Sequence, residues 1–173
     1  MGLFGHFAVG LAAKPHSPKV PLAVLLLATM FLDLLFMALA SAGAADPNSW
    51  SHGLFMSVIW SLAAALLFAS TYRSYRAGVV VGLIILSHWV LDLISHPIPF
   101  STFSWSKWQW SYGHPMPPDL PLFFASSPKV ALGLYNSISA VQATVLEVVM
   151  LLLGAALYAT YLTKLRKKKA PAP

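Results

Sequence analysis

The sequence predicts an all-α, polytopic transmembrane bundle, with four spanning helices and a short N-terminal helix that inserts in part or in full. Three observations carry that expectation. Hydrophobic residues make up 58% of the chain and charged residues only 9%, where a water-soluble domain carries roughly a quarter charged residues. The mean hydropathy of +0.71 describes apolar surface that needs lipid as its solvent. Four stretches stay apolar over the roughly 20 residues that a helix needs to cross hydrocarbon, and the basic residues flank these stretches instead of interrupting them.

In chain order, residues 2–13 are apolar but too short for a straight crossing at a rise of about 1.5 Å per residue, so a tilted, half-inserted or interfacial helix is expected. The spans follow at about 20–43, 53–72, 77–95 and 138–162. Residues 1–163 form one transmembrane domain, and 164–173 form a basic tail, expected to be disordered, that acts as a topology signal and meets anionic headgroups. Lys14, Lys19, Arg73, Arg76, Lys164, Arg166, Lys167, Lys168 and Lys169 fall on one side, and only Lys107 and Lys129 on the other. Nine of eleven therefore obey the positive-inside rule, which puts the C-terminus in the cytoplasm and the 44–52 loop and 97–137 segment outside. Trp105, Trp108, Trp110, Tyr112, Phe100 and Phe103 crowd that external segment, where its prolines prevent a long helix. It reads either as an aromatic belt at headgroup level or as a lid over a site.

Several classes are excluded. The net charge of +6 does not point to nucleic acid, because no basic face and no recognition motif accompany it. The absence of cysteine removes disulfides, thiolate ligands and cysteine nucleophiles. The small residues at 38–45 resemble a cleavage site, yet the apolar run before them exceeds the usual length and contains Asp33, so cleavage is not expected. There is no Gly-rich phosphate loop, no Gly-x-Ser-x-Gly elbow and no His-Glu-x-x-His.

Of the five acidic residues, Asp33, Asp92 and Glu147 fall inside spans, whereas Asp46 and Asp119 fall in external loops. An ionised carboxylate in hydrocarbon costs at least a few kcal/mol, so each buried acid needs a partner. No Lys or Arg lies in a span. The partners are then imidazoles (His6, His52, His88, His96), a cation, or a proton. Helix rise puts Asp33 roughly 20 Å, His88 about 16 Å and Asp92 about 22 Å above the cytoplasmic side, with Glu147 near 16 Å, so the groups share the outer half of the bilayer. His88, Asp92 and His96 are spaced i, i+4, i+8 and line one helix stripe. That stripe reads as a solvated or capped face, or as ligands for a divalent ion such as Zn²⁺ or Mn²⁺ with a carboxylate orienting an imidazole. Glu147 reads as a protonated carboxyl bonded between helices, or as a ligand, base or proton relay. His16 and His114 read as loop histidines.

Gly5-His6, Asp33, Ser51-His52 and Ser87-His88-x-x-x-Asp92, in this order, resemble the YdjM-like family of membrane-bound, metal-dependent hydrolases. Within it the chain is most similar to a group of small bacterial multi-pass membrane proteins, through Ser87-His88-Trp89-Val90-Leu91-Asp92, Asp119-Leu120-Pro121-Leu122, and the stretch 128–137 followed by Glu147. The resemblance covers 5–161. It implies His6, Asp33, His52, His88 and Asp92 as the polar, metal-holding site, adds His96, Asp119, Asn136 and Glu147 as further members or rim, and implies a bacterial cytoplasmic membrane. The chain departs from the family in having one acid at the Asp33 position where two are common, and Gly53 where Ser often follows the histidine.

These readings lead to an expected metal-dependent hydrolase. One divalent cation would be held by some of His6, Asp33, His52, His88 and Asp92, with Asp33 or Glu147 as general base and a lipid-linked ester or phosphoester as substrate. The alternative is a non-enzymatic membrane protein, a cation or proton conduit or a helper subunit, using the same buried cluster. The sequence leaves the oligomeric state open.

Overall fold

The computed structural model describes residues 3–95, 120–121, 129–130 and 137–169. The chain runs α1 (Leu3–Ala13), a 3₁₀ turn (Lys14–His16), α2 (Leu22–Thr29), α3 (Phe31–Ser41), α4 (Pro47–His52), α5 (Leu54–Thr71), α6 (Tyr75–Ser95), the short strands β1 (Leu120–Pro121) and β2 (Lys129–Val130), and α7 (Ala140–Lys169). The expected all-α class describes this architecture, to which the sequence reading did not add the two-residue antiparallel pair of β1 and β2. Among the described residues, three helices are long and apolar enough to cross a membrane, Leu54–Thr71, Tyr75–Ser95 and Val141–Lys168, and the bent pair α2–α3 makes a fourth if it counts as one span.

α6 is the central helix. Half of its most apolar window is buried, against 17% for α5 and 11% for α7. Ala77, Val81, Ile84, Ile85 and Trp89 of α6 pack with Val20, Leu25, Ala28 and Leu32 to form the core. α5 lies along α6 as a hairpin, and glycine allows the close approach: a Cβ at Gly82 would stand 2.7 Å from the Ser61 carbonyl oxygen. The outward faces of α5 and α7 expose Leu62, Leu66, Leu67, Val141, Leu152 and Leu153. Contiguous apolar faces of this size are foreign to a water-exposed monomer and suit contact with lipid.

The structure departs from the sequence reading in three places. The expected 20–43 span is broken at Met30, where α2 and α3 meet at 58°. No proline or glycine sits there. Instead the Thr29 hydroxyl donates back to the Leu26 carbonyl at 2.7 Å, a contact that bends helices, and the Thr29 carbonyl accepts from a side chain of α6. The 44–52 loop contains α4, whose start has a recognisable signature: Asp46 caps it through the Ser49 N–H at 3.2 Å, with Pro47 at the first helical position. The basic tail stays helical to Lys169, because Lys and Arg are good helix formers whose charge suits a helix C-terminus.

Candidate metal centre

Four elements deliver the cluster. His6 comes from the first turns of α1, Asp33 from the first turn of α3, His52 from the end of α4, and His88 and Asp92 from successive turns of α6. Two overlapping triads result, His6–His88–Asp92 and Asp33–His52–His88, and within each the potential donor atoms lie within 4.8 Å of one another. His6, His52, His88 and Asp92 are buried. The Asp33 side chain remains 39% exposed.

The ring nitrogens carry the chemical information. His88 Nδ1 lies 2.6 Å from the Thr29 carbonyl oxygen. A carbonyl only accepts, so Nδ1 carries the hydrogen and donates it, and in the neutral ring the Nε2 lone pair faces the cluster. His52 follows the same logic through a hydroxyl. Ser51 Oγ donates to the Pro47 carbonyl at 2.7 Å, which leaves its lone pairs to accept from His52 Nδ1 at 2.8 Å. Both histidines therefore present Nε2 to carboxylate oxygens. His88 Nε2 stands 3.2 Å from Asp92 Oδ2 and 3.6 Å from Asp33 Oδ1. His52 Nε2 stands 3.3 Å from Asp33 Oδ1 and 3.8 Å from Asp92 Oδ2.

Lone pairs facing lone pairs repel, and a proton or a cation between them reverses the sign. The spacing favours comparison with a metal site. Bonds of about 2.0–2.1 Å at tetrahedral angles put neighbouring donors roughly 3.3 Å apart, and the four separations run from 3.2 to 3.8 Å. A histidine tied to a carbonyl or hydroxyl through its other nitrogen is also the usual arrangement around a bound metal. Charge agrees: two ionised carboxylates with neutral imidazoles are balanced by one divalent cation, whereas uncompensated charge in this environment costs several kcal/mol. Nitrogen and oxygen donors suit Zn²⁺ or Mn²⁺.

No family model, curated protein or solved structure matches this chain. The site therefore rests on its own geometry.

His6 completes the first triad. Its ring stacks on His88 with centroids 4.0 Å apart and planes inclined by 4°, and its Nε2 lies 3.5 Å from Asp92 Oδ1. Neither ring nitrogen of His6 makes a hydrogen bond among the described residues. Glu147, the other acid inside a span, belongs to neither triad, and its Oε2 receives the Gly5 N–H at 3.4 Å. His96, Asp119 and Asn136, like the 97–119 aromatic stretch, lie outside the described residues. His16 is exposed in its turn, in keeping with a loop histidine.

The sequence reading did not anticipate two anchors. Thr29 acts through its backbone carbonyl, for which no side chain gives a signal. Ser51 was visible only as the neighbour of His52, and its acceptor role depends on where the α4 carbonyls fall.

Proposed function

We propose that this chain is a membrane-embedded, metal-dependent hydrolase whose single divalent cation is held by donors drawn from His6, Asp33, His52, His88 and Asp92. The observation that carries this reading is the set of imidazole Nε2 lone pairs aimed at carboxylate oxygens at the separations of a metal's donors. A Zn²⁺ or Mn²⁺ ion there supplies Lewis acidity, polarising a phosphoryl or carbonyl oxygen and making water nucleophilic near neutral pH. The chain's own residues do the rest. Thr29 and Ser51 hold the imidazoles in the ligating tautomer. Asp33, partly exposed where the other members are buried, faces the imidazoles through Oδ1, and its second carboxylate oxygen is the one that takes a proton from an incoming water as general base. Glu147, engaged with the α1 backbone, is not assigned that task.

Around Asp33, Leu34 and Met37 are exposed and Phe36 stands edge-on to His52 with ring centroids 6.0 Å apart. An apolar approach to a polar centre supports a lipid-linked ester or phosphoester as substrate, with membrane lipid as the surrounding partner. The distribution of basic residues and the resemblance to small bacterial membrane proteins support a bacterial cytoplasmic membrane with the C-terminus inside.

The test is metal content and turnover in the same preparation. Detergent-purified protein should retain close to one equivalent of Zn or Mn by elemental analysis and hydrolyse a short-chain phospholipid or its phosphoester headgroup. His88→Ala and Asp92→Ala should lose both metal and activity. Metal-free wild-type protein whose stability ignores chelators sinks the reading. One observation favours the rival conduit: the His6, His88 and His52 rings follow one another with centroids 4.0 and 5.3 Å apart, a file that could relay protons. Proton flux in proteoliposomes that needs all three histidines, with no hydrolysis, would select it.

A further inference from the structure

α1 brings His6 to the cluster from its first turns. His6 lies near its N-terminus, where the first four backbone N–H groups have no partner within the helix. Its ring stacks on His88 and lies 3.5 Å from Asp92, and no hydrogen bond among the described residues fixes it further, so the backbone that carries it helps to set its position. α7 is the element packed most closely along that backbone, and two contacts bracket His6. Before it, the buried Gly5 N–H points to Glu147 Oε2 at 3.4 Å, which also puts a carboxylate at the positive end of a helix dipole. After it, Gly154 brings the α7 backbone against Ala8: a Cβ at Gly154 would stand 2.5 Å from the Ala8 carbonyl oxygen and 2.8 Å from its Cα. Glu147 and Gly154 are seven residues apart, close to two turns, so both contacts come from one face of α7.

We propose that Glu147 is a positioning residue: by holding the N-terminal turn of α1 against α7, it fixes His6 as a donor to the metal centre. Glu147 then acts through His6 without ligating the ion itself. The inference rests on the metal-centre reading above. It assigns the third acid within a span a role that fits its place outside both donor triads.

The experiment uses the full chain in detergent micelles, titrated with Co²⁺ alone, whose visible d–d bands report the ligand set. Glu147→Ala should weaken Co²⁺ binding about tenfold, as loss of a supporting contact does, and shift the bands toward those of His6→Ala. The double variant should bind no more weakly than His6→Ala by itself. Glu147→Gln, whose amide oxygen can still accept from Gly5, should keep the wild-type bands. Gly154→Ala, which forces α1 off α7 without touching the carboxylate, should reproduce the Glu147→Ala spectrum and decides the matter should Glu147→Ala not fold. Wild-type bands in either Ala variant overturn the proposal. So does a Glu147→Gln variant as damaged as Glu147→Ala, because charge or ligation would then be the role, and so do losses that multiply in the double variant. A wild-type protein without Co²⁺ bands removes the metal reading and this inference together, whereas normal wild-type bands with an unaffected Glu147→Ala remove this inference only.

Discussion

His88 reaches the middle of the cluster with one nitrogen to offer, because the Thr29 carbonyl holds the other at 2.6 Å. That contact turns a buried imidazole from a general polar group into a directed donor. His52 is directed in the same way through Ser51, and the hydroxyl can be removed without touching a member of the cluster. Ser51→Ala should weaken Zn²⁺ or Co²⁺ binding by about 10- to 100-fold, the usual cost of losing an outer-shell partner, while Ser51→Thr, which keeps the hydroxyl, should bind within a few-fold of wild type. Competition titration against a metal indicator measures both. Part of this arrangement was legible beforehand. His88 and Asp92 sit four residues apart on α6, so helix geometry alone makes them neighbours. The Thr29 anchor was not legible, since every residue owns a carbonyl and only the fold chooses which one is left to accept.

Among the elements, the α5–α6 hairpin and the broken α2–α3 span do the positioning. The hairpin turn puts Arg73 at a φ of 44°, a left-handed conformation that costs a residue bearing a Cβ roughly 1–2 kcal/mol. Arg73→Gly should therefore raise the unfolding midpoint in detergent, by a gain of about 0.5–1 kcal/mol once glycine's extra unfolded-state freedom is set against it. Gly82→Val should act in the opposite direction, because its side chain would meet the Ser61 carbonyl and the Ala65 methyl. Overpacking of that kind costs on the order of 1–3 kcal/mol. Thermal unfolding of the two variants beside wild type checks both signs. The hairpin helices were readable from their apolar length. The break at Met30 was not, because it goes with a hydroxyl bonding back to its own helix and a contact from α6, and not with a proline or glycine. That break tips Asp33 into the first turn of a new helix and exposes the carbonyl that His88 uses.

For the whole molecule, the apolar faces of α5 and α7 turn outward while the polar cluster is gathered around α6. If the cluster holds one cation, the ion is part of the fold: a ligand present at 100 times its dissociation constant adds about 2.7 kcal/mol to stability. Chelation with EDTA should lower the unfolding midpoint of the wild type and leave His88→Ala and Asp92→Ala unchanged, as followed by differential scanning fluorimetry in detergent. The sequence by itself determined the all-α class, the apolar helices long enough to cross a membrane, and the identity of the ionisable residues they carry. Those follow from composition, hydrophobic length and the cost of burying charge, all of which are local properties of the chain. Only the tertiary structure decided that His6, Asp33, His52, His88 and Asp92 meet, that the first span breaks at Met30, and that the Glu147 carboxylate meets the α1 backbone. Each of these depends on which helix faces are brought together, and spacing along one helix cannot specify a meeting between four elements.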